Sequence, residues 1–93
     1  MDLVLYEKPE CHLCEGLLEK LEAIAAARGG LTIAAIERRD ITTRDDWFEE
    51  YRYEIPVLLR RDRHGAEQPI PRPSPRLTVA ELEEWLQKSV ETS

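Results

Sequence analysis

The chain of 93 residues holds only two cysteines, one phenylalanine, one methionine and four glycines. Two cysteines are too few to staple a small domain, so a disulfide scaffold is excluded and the fold must rest on an apolar core. Basic charge is also scarce. Thirteen Lys and Arg stand against nineteen Asp and Glu, for a net charge of -6. A binder of nucleic acid needs a positive face, so no nucleic-acid partner is expected. No apolar run approaches the roughly 20 residues that cross a bilayer, and no membrane association is expected either. Met1-Asp2-Leu3-Val4-Leu5-Tyr6 lacks the basic stretch and long apolar segment of a secretory signal. The expected compartment is therefore the cytoplasm, where thiols are kept reduced. What is present, 42% hydrophobic and 34% charged residues, suits a folded domain. At this length the expectation is one domain over residues 1–93, with one compact, single-layered core.

Asp2–Tyr6 is apolar and reads as a buried strand, broken by Lys8-Pro9-Glu10. From Cys11 onward, Cys14, Leu17, Leu18, Leu21, Ile24 and Ala25 recur at steps of three and four, the stripe of an amphipathic helix. Arg28-Gly29-Gly30 supplies its stop. Leu31, Ile33, Ala35 and Ile36 predict a second strand with Glu37-Arg38-Arg39-Asp40 as its charged exit. Thr43 is placed to cap a short helix containing Trp47, Phe48 and Tyr51, with Asp45 and Asp46 in its first turn. Pro56-Val57-Leu58-Leu59 reads as a third strand, and Arg61-Asp62-Arg63-His64-Gly65 as a hairpin turn into a fourth from about Ala66 to Pro71. Thr78-Val79-Ala80-Glu81 matches a capping box that opens a last helix with Val79, Leu82, Trp85 and Leu86 inward. Pro69, Pro71, Pro73 and Pro75 fall at every second residue. In a strand they remove N–H donors from one side only, which suits an edge. The order strand, helix, strand, helix, strand, strand, helix packs as a parallel pair followed by an antiparallel hairpin, an α/β fold.

The two cysteines sit together as Cys11-His12-Leu13-Cys14. Spaced by three at a helix start, they lie within disulfide reach. Cys11 falls where free N–H groups and the helix dipole stabilise a thiolate, while Cys14 aligns with the apolar stripe. The asymmetry assigns Cys11 as the attacking thiol and Cys14 as the resolving one. Metal binding is the competing class. A structural zinc site wants four ligands, and the chain offers Cys11, Cys14, His12 and His64 at most. His12 points away from the face that the cysteines share. A second chain would have to complete such a site, with zinc or an iron–sulfur cluster bridging two copies, and no metal is expected. His12 as an imidazolium would instead tune the neighbouring thiolate. The basic cluster Arg60, Arg61, Arg63 and His64 falls on the hairpin tip and reads as a solvated turn.

Tyr6-Glu7-Lys8-Pro9-Glu10-Cys11-His12-Leu13-Cys14 resembles the active-site segment of glutaredoxins, and Asp40-Ile41 followed by Tyr53-Glu54-Ile55-Pro56-Val57 resembles their second landmark. The likeness runs from Leu3 to Leu86 and points to small glutaredoxin-like proteins. It implies a thioredoxin-like βαβαββα fold, a four-stranded mixed sheet flanked by helices. It also implies a thiol–disulfide oxidoreductase with Cys11 and Cys14 as the redox pair. Pro56 resembles the cis-proline that faces the cysteines in that fold, leaving the backbone of Ile55 to pair with an extended substrate. Lys8 resembles the residue that holds the thiolate and a carboxylate of glutathione. One departure stands out. Where glutaredoxins carry a Gly-Gly pair before the last helix, this chain reads Arg72-Pro73-Ser74-Pro75-Arg76-Leu77-Thr78. No resident cofactor is expected, and glutathione, the reductant implied by the resemblance, is expected to be a poor one. The expected partners are a protein or small-molecule disulfide substrate and a thioredoxin-type reductant. The alternative class is a non-enzymatic module that holds a partner or a metal.

Overall fold

In the computed structural model, which describes residues 1–27 and 30–91, every other element is arranged around strand β1 (Asp2–Glu7). β1 pairs in parallel with β2 (Ala35–Asp40) and antiparallel with β3 (Val57–Arg61), and β4 (Glu67–Pro69) adds antiparallel to β3. The strand order is β2-β1-β3-β4. Helices α1 (His12–Ala26), α2 (Asp45–Tyr51) and α3 (Val79–Glu91) complete the order read from the sequence. Among the described residues no helix is long and apolar enough to cross a membrane.

Successive side chains of a strand point to opposite faces, and β1 is apolar on both. Leu3 and Leu5 pack with Leu18, Leu21 and Ile24 of α1 and with Leu82 and Leu86 of α3. Val4 and Tyr6 pack on the other face with Ile41 and Leu59, beneath Trp47, Phe48 and Tyr51 of α2. The core is therefore two clusters rather than the single layer expected. A central strand flanked on both sides is buried from above and below at once.

The second face is also held by charge. Arg39 of β2 donates to Glu67 of β4 through Nη1 at 3.0 Å and Nη2 at 2.7 Å, to Glu37, and to the Tyr6 hydroxyl at 2.6 Å. Arg61 of β3 closes the circuit, with Nη2 at 2.9 Å from Glu37 and 3.5 Å from Glu67. The arginines hold both carboxyls below their ordinary range, Arg61 first for Glu37 and Arg39 first for Glu67. The Arg39 guanidinium also lies 5.3 Å from the Tyr6 ring centre and 5.6 Å from that of Trp47. Burial pushes the Tyr51 hydroxyl up to about 12, with the stacked Tyr6 adding to the effect.

Several boundaries differ from expectation. β2 begins at Ala35, so the Glu37-Arg38-Arg39-Asp40 run is strand and not exit. An edge strand has solvent beside it, and its arginines and Glu37 are satisfied by ion pairs. Leu31 and Ile33 still reach the core, but ahead of the ladder. Thr43 does not cap α2. Its hydroxyl donates to the Asp40 carbonyl at 2.7 Å, inside a 3-10 turn (Ile41–Thr43), and Arg44 stands at the cap position. β4 ends at Pro69, since prolines at 71, 73 and 75 cannot extend a ladder. It is an edge strand, as the proline spacing predicted. The capping box forms, with Glu81 N–H to Thr78 Oγ1 at 3.2 Å and Thr78 N–H to Glu81 Oε1 at 2.9 Å. Leu82 and Leu86 point inward, while Trp85 and Val79 are 37% and 40% exposed. Trp85 lies on the shoulder of the helix, where its indole N–H reaches the Pro71 carbonyl at 3.3 Å. Helix α1 ends at Ala26. Arg28 and Gly29 of the expected stop, and the Thr92-Ser93 end, lie outside the described residues.

Candidate functional site

Strand polarity gathers three loops at one end of the sheet. β1 runs out at Glu7 into the loop that carries the cysteines. β3 starts at Val57, opposite Tyr6, so Ile55 and Pro56 stand at that same end. β4 returns antiparallel to β3, and the proline segment that follows it comes back there too.

Cys11 and Cys14 are joined by a disulfide, with Cα atoms 5.2 Å apart. Cys11 is the N-cap of α1, and its Sγ accepts the Cys14 N–H at 3.2 Å. Its carbonyl accepts the first helical bond, from Glu15 N–H at 3.0 Å. One sulfur thus meets a free N–H of the helix start, where partial positive charge favours a thiolate. Cys14 is fully buried and Cys11 is half-buried. Glu10, just before the cap, sits at φ 64°, a left-handed conformation that costs a non-glycine residue about 1 kcal/mol or more. It turns the chain from the strand axis into the helix.

The other predicted residues fall into two groups. Pro56 follows a cis peptide bond, as expected, and lines a cavity together with His12. The His12 side chain is 95% exposed, and its Nδ1 is 3.6 Å from Glu15 Oε2. Ile55 packs against the cluster around Val4 and Tyr6. Its N–H donates to the Tyr51 carbonyl at 3.1 Å, and its own carbonyl accepts from Arg72 at 3.4 Å. An incoming extended chain would have to displace those two contacts to pair with it. Lys8 is exposed, one residue beyond β1.

Helix α1 and the proline segment enclose a cavity of about 180 Å³. Leu13 and Leu17 form one wall, Pro73, Pro75 and Leu77 the other, and Leu82 also lines it. The segment is pinned at three points. Lys20 Nζ donates to the carbonyls of Pro75 at 2.9 Å and Leu77 at 2.6 Å, Arg72 reaches Ile55, and Trp85 reaches Pro71. The alternating prolines suggest edge protection or, as the lesser alternative, a proline-rich segment for a partner, and neither reading places them against α1. The missed signal was Pro73 and Pro75, which lie too far beyond the hairpin turn to serve in a ladder.

His64 lies in the turn between β3 and β4, at the sheet end where Arg61 pairs with Asp2, opposite to the cysteines. The four candidate metal ligands are therefore not brought together within this chain. Among the described residues no group of three or more His, Cys, Asp and Glu is placed to hold a metal ion. Within the basic cluster, Arg61 is spent on Glu37 and Glu67.

Among solved structures, the chain is similar to a structural-genomics target protein, XcR50, from X. campestris, at 28% identity and a TM-score of 0.57, over 92% of this chain and 96% of that one. It is also similar in fold to thioredoxin 1 from Thermosipho africanus, at 18% identity and a TM-score of 0.60, over 99% and 97% of the two chains. No curated protein matches it. The four-stranded mixed sheet with its three helices is thus a thioredoxin-like fold. Residues 2–87 match the glutaredoxin-like domain family. With that match over nearly its whole length, and with the Cys11–Cys14 pair joined at the start of α1, the chain belongs to the glutaredoxin-like domain family.

Proposed function

We propose that this protein is a thiol–disulfide oxidoreductase that cycles the Cys11–Cys14 pair. The observation that carries the reading is the unequal placement of the two sulfurs. Cys11 caps the helix, accepts an N–H and is partly open, while Cys14 is fully buried. In the reduced protein the Cys11 thiolate attacks a substrate disulfide, forming a mixed disulfide and releasing one substrate thiol. Cys14 then attacks Cys11 Sγ, the second substrate thiol leaves, and the protein disulfide closes. Two electrons and two protons pass to the substrate. Lys8, exposed one residue beyond β1, supplies positive charge at this end of the sheet and favours the thiolate of Cys11. Pro56 borders the substrate cleft.

Glutathione is a poor fit as reductant. Its two carboxylates need several preplaced donors, and Pro73 and Pro75 have no N–H to offer where the glycine pair of a glutaredoxin would stand. A thioredoxin-type protein is the better electron donor, and the substrate is a protein or small-molecule disulfide.

A Cys14→Ser variant should trap partners as mixed disulfides on Cys11, and Cys11→Ser should trap none. In single-cysteine variants, alkylation at Cys11 should titrate well below the ordinary thiol value of about 8.5, and at Cys14 it should not. Equal titration of both thiols near the ordinary value, with nothing trapped, overturns the reading.

A further inference from the structure

The cavity beneath the proline segment has a chemistry that the redox pair does not need. Its walls are mostly carbon, from Leu13, Leu17, Pro56, Pro73, Pro75 and Leu82. An apolar cavity of about 150 Å³ suffices to bind benzene, so one of about 180 Å³ takes a hydrocarbon group slightly larger. The polar lining is one-sided. His12, Lys20 and Arg72 contribute basic groups, and no Asp or Glu lines it. Lys20 hydrogen-bonds two neutral carbonyls and Arg72 one, and among the described residues Arg72 has no carboxylate partner. Glu15 stands beside His12 and Glu81 near Lys20, so Arg72 is the lining group that favours an anion.

Gly16 supplies a second, independent observation. It stands inside α1 and lines the cavity. A glycine there costs the helix roughly 1 kcal/mol relative to alanine. Packing does not demand it, because a Cβ added at Gly16 would meet nothing within 4 Å. The missing side chain leaves this part of the cavity wall open.

We propose that this cavity binds the hydrocarbon arm of a small dithiol or disulfide acid. The arm lies between Gly16 and the proline segment, the carboxylate meets Arg72, and the sulfurs reach Cys11 from beside Leu13. The site deepens the oxidoreductase reading and rests on it for its redox step. One thiol of the ligand attacks Cys11 Sγ, the Cys11–Cys14 bond breaks, and Cys14 leaves and is protonated. The second ligand thiol attacks the mixed disulfide, Cys11 leaves and is protonated, and the ligand closes as a cyclic disulfide. The ligand loses two electrons and two protons, and the protein gains them.

The test separates binding from redox chemistry. Octanoate, which has the arm and the carboxylate but no sulfur, is titrated calorimetrically into the oxidised protein. It should bind with submillimolar affinity, at least tenfold tighter than octanamide. Gly16→Leu should fill the space, leaving the melting temperature unchanged or higher while octanoate affinity falls at least tenfold. Arg72→Gln should erase the difference between octanoate and octanamide. Dihydrolipoate should then reduce the disulfide with saturation and be competed by octanoate, whereas reduction by dithiothreitol should not saturate. No octanoate binding at millimolar levels, or equal binding to the Gly16→Leu variant, overturns the proposal. Tighter binding of a short apolar peptide amide than of octanoate assigns the cavity to polypeptide and also overturns it. Octanoate binding without reduction by either dithiol sinks the oxidoreductase reading while the cavity keeps its occupant.

Discussion

The two faces of the sheet solve the same covering problem with different chemistry. On one face, α1 and α3 lie side by side and close a cluster that holds, among the described residues, ten buried apolar side chains around Leu3 and Leu5. On the other, α2 has only seven residues and covers part of the surface. Four buried apolar residues lie there, and the remaining sheet is spanned by aromatic rings and the Glu37, Arg39, Arg61 and Glu67 circuit. Where a second helix is lacking, long side chains with paired charges take its place. The first face earns its stability from area removed from water, and the second from geometry that depends on ionisation.

The largest effect should come from opening the apolar face. Leu21 is fully buried between α1 and the sheet, and Leu21→Ala should cost about 2–5 kcal/mol in denaturant unfolding, through lost transfer energy and the cavity left behind. Arg39→Met breaks the comparison from the other side. It removes the partner of Glu37, Glu67 and Tyr6 but keeps the carbon stem over the rings, and should cost about 1–2 kcal/mol. If both variants lost equally, the contrast between the faces would be empty.

The pH profile sharpens it further, with the smallest change per group. Glu37 and Glu67 have folded values below the ordinary 4.5, so their contribution is complete above that pH and fades as pH falls through the folded values. Tyr51 acts in the opposite direction. Its folded value of about 12 lies above the ordinary 10, so its contribution is complete below pH 10 and is lost as pH rises toward 12. Stability measured by denaturant midpoint should fall at both extremes, and Arg39→Met should flatten the acid limb. An unchanged acid limb in that variant would remove the circuit from the account.

How much of this was legible in the sequence varied with the range of the contacts involved. The 3.6-residue stripe from Cys14 to Ile24, the box at Thr78 and Glu81, and the cysteine pair at a helix start are local patterns, and all formed as expected. The place of Ile55 and Pro56 near the cysteines was legible only through the family resemblance. The strand status of Glu37-Arg38-Arg39-Asp40 was hidden, because charge is tolerated there by partners on β3 and β4 that local sequence cannot reveal. The proline wall was hidden for the same reason. Its anchor, Lys20, lies more than fifty residues away, and a lysine on a helix looks like any other solvated charge.

That separation bears on the order in which the molecule is assembled. The bond between Cys11 and Cys14 spans three residues, whereas Lys20 reaches across 55 and 57 residues to the carbonyls of Pro75 and Leu77. Closing a long loop waits for the sheet to bring its ends together, whereas the two cysteines need only the first turn of α1 to come within reach of each other. During synthesis the cysteines therefore emerge well before the proline wall that stands beside them in the folded protein. The wall over α1 is complete only when the last third of the protein has been made and folded back.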